Sequence, residues 1–102
     1  MKTLRFGATY GAPPFFDSSM ENMGYVEVAA IDLPPQLVEE INLWDSQFQA
    51  TFCDDYPPDS GFDSVEKLNL HNSHGAELAA SIQRNVGAEV TILFIPLKSL
   101  KT

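Results

Sequence analysis

Apolar and polar residues alternate over residues 2–10. Leu4, Phe6, Ala8 and Tyr10 fall on one face, and Thr3, Arg5 and Thr9 on the other. A period of two predicts a half-buried strand, which stops at Gly11 because Pro13-Pro14 cannot continue it. Residues 11–24, GAPPFFDSSMENMG, read as a long loop, and YVEVAA (25–30) as a second strand. A connection of that length exceeds an ordinary hairpin turn and is a candidate for function. Its two phenylalanines admit two readings: rings tucked into the core, or an aromatic anchor on an interface. Phe15 and nearby Asp17 are therefore second-rank candidates for partner contact.

The period changes to three and four over residues 33–52. Leu37, Ile41, Trp44, Phe48 and Phe52 form one apolar stripe, which predicts an amphipathic helix. Pro34-Pro35 suits its first turn, and Asp32 its cap and dipole. Glu39, Ser46 and Ala50 lie opposite the stripe, and Leu43 falls with them as an exposed apolar contact. Pro57-Pro58 excludes a helix across residues 54–61. Asp63 or Ser64 then caps a second helix with a stripe of Val65, Leu68, Ala79, Ile82 and Val86, ended by Gly87 at C′. The segment HNSHG (71–75) is its weak point, where two shorter helices are the alternative. EVTILFIP (89–96) is a strand apolar on both faces, with Val90, Ile92 and Phe94 on one and Leu93 and Ile95 on the other. Such strands are usually central and covered. The tail LKSLKT is expected to fray.

The predicted order is β-β-α-α-β in a single domain spanning residues 1–102. The fold class is α+β: a small mixed sheet with two helices packed on it and the last strand in its middle. Should that strand run parallel to an earlier one, the crossover is expected to be right-handed.

Charge sharpens the picture. The net charge is −8, from fourteen acids and six bases. Residues 6–66 hold twelve of the acids and no Lys, Arg or His. Direct nucleic-acid binding needs a basic footprint, and anionic membranes attract cations, so neither is expected as a partner. A positively charged protein face is the natural complement. The bland reading is that acidity only keeps the domain soluble. Cys53 is the single cysteine, so an intramolecular disulfide is impossible. No run approaches the roughly 20 apolar residues of a membrane span, and the N-terminus has no signal-type apolar core. A cytoplasmic location is expected.

Candidate chemistries fail on physical grounds. Asp54 and Asp55 follow Cys53 directly, and neighbouring negative charge raises a thiol pKa; Cys53 reads as a small buried apolar residue. His71 and His74 are three apart, but the His-Glu-x-x-His pattern is missing. They read as surface or capping histidines. DDYPPDSGFDSVE (54–66) places prolines and aspartates in the wrong slots for an EF-hand. The chain shows no phosphate-binding glycine loop and no Gly-x-Ser-x-Gly. An enzyme is not expected, and no cofactor or metal is implied.

IDLPPQLVEEINLWD followed by FQATFCDDYPPDSGF, a helix and then an acidic Tyr-Pro-Pro-Asp-Ser-Gly-Phe loop, resembles small acidic immunity proteins of contact-dependent growth-inhibition systems. The resemblance covers residues 31–63. It implies a bacterial cytoplasmic antitoxin without catalysis, whose one partner is the toxic C-terminal domain of a large exported protein, often a nuclease with a basic surface. The residues themselves place the contact face on Asp54, Asp55, Tyr56, Asp59 and Asp63, with Glu39, Glu40, Leu43, Phe15 and Asp17 in second rank. In that loop the prolines lower the ordering cost of binding, the aspartates supply the field, and Tyr56 supplies an amphipathic contact. The inward alternative packs Tyr56 and Phe62 and leaves the acids wet. Other function classes are an acidic DNA-mimic or adaptor that inhibits a nucleic-acid enzyme, and a small metal-binding domain.

Overall fold

A computed structural model describes residues 2–18, 23–52, 55, 61–62 and 64–97, with Lys2 by its backbone alone. The chain forms β1 (Lys2–Phe6), β2 (Phe15–Asp17), β3 (Gly24–Val26), a 3-10 turn (Val28–Ala30), α1 (Pro35–Gln49), α2 (Val65–Val86) and β4 (Val90–Phe94). The strands make one mixed sheet in the order β3-β2-β1-β4. β1 runs antiparallel to β2 and parallel to β4, and β2 runs antiparallel to β3. This is the α+β architecture expected, with three differences.

First, FFD (15–17) is a strand, where the sequence reads as loop. The pair Phe6↔Phe15 sets its register. Three residues are too few to show a period, and Pro13-Pro14 obscured them. Second, β4 lies at an edge and not in the middle. Its inward residues Val90, Ile92 and Phe94 are half-buried, while Leu93 and Ile95 are exposed. The Gln83 carboxamide covers part of the outer edge: its Nε2 donates to Val90 O (2.7 Å) and its Oε1 accepts from Ile92 N (2.8 Å). A side chain thus stands in for a neighbouring strand, which protects an edge from pairing. Third, of YVEVAA (25–30), read as one strand, only Tyr25 and Val26 lie in β3, and Val28–Ala30 form the 3-10 turn; α2 runs unbroken through residues 71–75, as one helix and not the two-helix alternative.

The core lies between the inner sheet face and the helices. Leu4, Phe6 and Phe15 meet Leu37, Ile41, Trp44, Leu78 and Ile82. Phe6 stacks on Trp44 at 4.9 Å. Residues Leu37, Ile41, Trp44 and Phe48 of α1 are buried as its spacing predicts, whereas Phe52 lies beyond the helix end and is exposed. On α2, Leu68, Ala79 and Ile82 are buried and Val65 is exposed. Ser64 caps α2, its side chain accepting from Lys67 N at 3.1 Å. α1 instead begins at Pro34-Pro35 with no side-chain cap, so Asp32 does not serve there. Gly87 ends α2 at φ 80°, a backbone conformation favourable to glycine.

Candidate functional site

Both helices cover the same face of the sheet, so their outer surface forms one broad side of the molecule. The helices run antiparallel: Phe48 near the end of α1 meets His71 in the first half of α2, and Glu40 and Leu43 lie beside His74–Ser81. The apolar stripe of α1 turns inward and leaves Glu39, Glu40 and Leu43 outside. Leu43 is 59% exposed. Glu40, Leu43, His74, Glu77 and Ser81 line a groove of about 380 Å³, with buried Leu78 among its walls. Arg84 donates to Ser81 Oγ (3.0 Å). Glu39 faces a different hollow, with Asp32, Leu33 and Val38. Glu40 and Leu43 therefore meet as the sequence suggested, Glu39 sits on the next flank, and Glu77 joins from α2. Glu77 escaped the sequence reading, which had no means of placing the second helix beside the first.

At the end of the helix pair, Gly61 N donates to Thr51 O (3.2 Å). The ring of Phe62 packs on His71 at 4.9 Å. Both flanks of the acidic segment are thus tied to the core, and Phe62 packs inward. Asp55 is exposed; Asp54, Tyr56, Asp59 and Asp63, like Cys53 and Pro57-Pro58, lie outside the described residues. Two second-rank candidates are corrected. Phe15 is fully buried against Phe6 (5.1 Å), and Asp17 is 1% exposed. Both alternate inward on β2, so neither can present its side chain to a partner. Gln49 pins the preceding loop to α1: its Nε2 donates to Thr9 O (2.8 Å) and its Oε1 accepts from Gly11 N (3.1 Å). Burial raises the Asp45 carboxyl above its ordinary pKa, partly offset by its hydrogen bond with Gln49.

Residues 2–97 match the family model described as Serratia CdiI immunity protein-like. The chain belongs to that family. Among curated proteins, none matches it. As an immunity protein of a contact-dependent growth-inhibition system, it neutralises a cognate toxin. Among the described residues, no helix is long and apolar enough to cross a membrane, and no group of three His, Cys, Asp or Glu is placed to hold a metal ion.

In this immunity protein His71 is buried, not a surface or capping residue. Its ring stacks on Trp44 at 4.4 Å and 11°, and its Nε2 has no hydrogen-bond partner among the described residues. Burial first, and then the charge of His74, lowers its pKa from 6.5 to about 4. The folded state therefore holds His71 neutral while the unfolded chain takes up a proton near pH 6.5. The stability this confers is complete above pH 6.5 and is lost as pH falls toward 4. At pH 5 the loss amounts to about 2 kcal/mol. His71→Phe keeps the stacked ring and removes the titration. Denaturant melts of the two proteins at pH 8 and pH 5 should show the variant with the shallower decline. Equal declines would mean that His71 is not held neutral.

Proposed function

We propose that this immunity protein blocks its toxin stoichiometrically in the cytoplasm, by laying an acidic, apolar-centred surface on a basic face of a nuclease domain. The surface comprises Asp54, Asp55, Tyr56, Asp59 and Asp63 of the loop, together with Glu40 and Leu43 of the groove and Glu39 on its flank. A nuclease carries positive charge to hold phosphates, and an acidic surface occupies the same charges as a phosphate substitute. Attraction between the two speeds capture of an arriving toxin, while Leu43 and Tyr56 supply the desolvated contacts that give affinity. The observation that carries this reading is the convergence of Glu40 and Glu77, from two helices, on exposed Leu43.

The groove can be tested apart from the loop. Leu43→Ala should weaken binding of the cognate toxin domain by roughly tenfold, the scale of a contact worth about 1–2 kcal/mol. Glu40→Lys with Glu77→Lys should weaken it further by slowing association. Leu43 is exposed, so circular dichroism should not change. Calorimetric affinities equal to wild type for both variants would remove the groove from the interface.

A further inference from the structure

The other broad side of the molecule is the open face of the sheet, which no described helix covers. Register places Tyr25, Phe16, Arg5 and Leu93 in one row across all four strands. Phe16 meets Tyr25 edge-on at 5.1 Å, and the Arg5 guanidinium lies over the Phe16 ring at 5.8 Å. Tyr25 is 52% and Leu93 48% exposed, and Met23 and Ile95 extend the patch. Just past β1, Gly7 lets the backbone of Ile95 approach closely: a Cβ there would stand 2.8 Å from Ile95 O. Gly7 and Ile95 border a cleft of about 440 Å³ that Pro14, Phe16 and Tyr25 also line. None of the described acids projects from the outward strand positions, although the chain carries −8.

We propose that this face is the dimerisation surface of the protein and that its occupant is a second copy of the same chain. The row is self-complementary. A two-fold axis lying along the strands, between β1 and β2, reverses its order. Arg5 then lies over the partner's Phe16, and Tyr25 over the partner's Leu93. Each guanidinium gains a second aromatic face and each exposed aliphatic an aromatic one. This is the isologous pattern of closed dimers, with two sheets packed face to face. Charge favours the same choice. Two chains of −8 repel through most of their surface; this row brings Arg5 and the rings together and contains no carboxylate. Pairing through the β4 edge is hindered by Gln83, which already occupies Val90 O and Ile92 N. A standard interface of about 800 Å² per partner would use roughly one-eighth of the 6470 Å² surface. The acidic groove lies on the opposite side and stays accessible in each copy.

Sedimentation of the full chain, without toxin, tests this separately from the immunity reading. From micromolar to millimolar concentration the mass should rise from 11.3 kDa to twice that value. Leu93→Lys and Tyr25→Lys should each weaken the association by roughly tenfold or more, while Glu40→Lys should leave it unchanged. A second measurement stands if those variants fail to fold. In a Cys53→Ala background, Tyr25→Cys with Leu93→Cys should form a covalent dimer on oxidation, and neither single cysteine should do so efficiently. A monomer at every concentration would overturn the proposal, as would a dimer indifferent to both lysines or an absent cross-link. Protection of Tyr25 and Leu93 from exchange only when toxin is added would assign the face to the toxin instead.

Discussion

Gly75→Ala should lower the melting temperature by roughly 10–20 °C, from a loss of about 2–3 kcal/mol in a domain of this size. Helix propensity alone predicts the opposite, a gain of about 1 kcal/mol for alanine over glycine. The sign is decided by space. A Cβ on Gly75 would stand 2.6 Å from Phe94 Cε1 and 2.8 Å from Trp44 Cζ2. Trp44 is held in place by its Nε1–H donating to His71 O (2.9 Å) and by stacking on Phe6 and His71. It cannot swing aside without opening the core, and Phe94 packs beside Phe6 at 6.1 Å. Glycine is present to let α2 approach Trp44 and Phe94 closely, and the helix tolerates its lower propensity. A thermal melt that rises on substitution would mean that the rings give way, and that α1, α2 and β4 pack less tightly than their geometry indicates.

The largest functional effect is expected from the loop. Asp54→Lys, Asp55→Lys and Asp59→Lys together should weaken binding of the cognate toxin domain by about a hundredfold or more at low salt, mostly through slower association. Each reversal shifts the charge by two, so the triple variant moves from −8 to about −2 and loses most of its steering field. Folding should survive. The segment's flanks are tied down by the Gly61–Thr51 hydrogen bond and the Phe62–His71 contact, neither of which uses a carboxylate. Unchanged affinity with intact circular dichroism would take the loop out of the interface and leave the groove to act alone.

The helices were legible because they are long. Leu37, Ile41, Trp44 and Phe48 repeat at the helical period over about three turns, and the same pattern placed Leu43 outside, where it is found. Ser64 and Gly87 marked the ends of α2 by cap chemistry. The inward and outward sets of β4 were also correct. Their consequence was not: a strand apolar on both faces suggested a central place, yet β4 lies at an edge. Its outward residues form an exposed patch, and the Gln83 side chain supplies a substitute ladder. HNSHG left a break open as the alternative, because glycine and asparagine are poor helix formers, yet the helix runs through it. There His71, Gly75 and Trp44 are chosen by packing across the helix pair, a tertiary demand with no local signature. Phe15 and Asp17 failed as candidates for the same reason, since the three-residue β2 shows its alternation only once paired with β1. In the candidate site, sequence supplied the acids and Leu43, and the groove added Glu77 from the second helix.

Whether negative potential on this immunity protein meets a cationic face of its toxin can be read from calorimetry of the unmodified chain with its cognate toxin domain, repeated over a range of sodium chloride concentrations. One toxin should bind per chain, with an affinity that falls steeply as salt rises, because screening shortens the reach of the charges. An affinity indifferent to salt, at any stoichiometry, would contradict it.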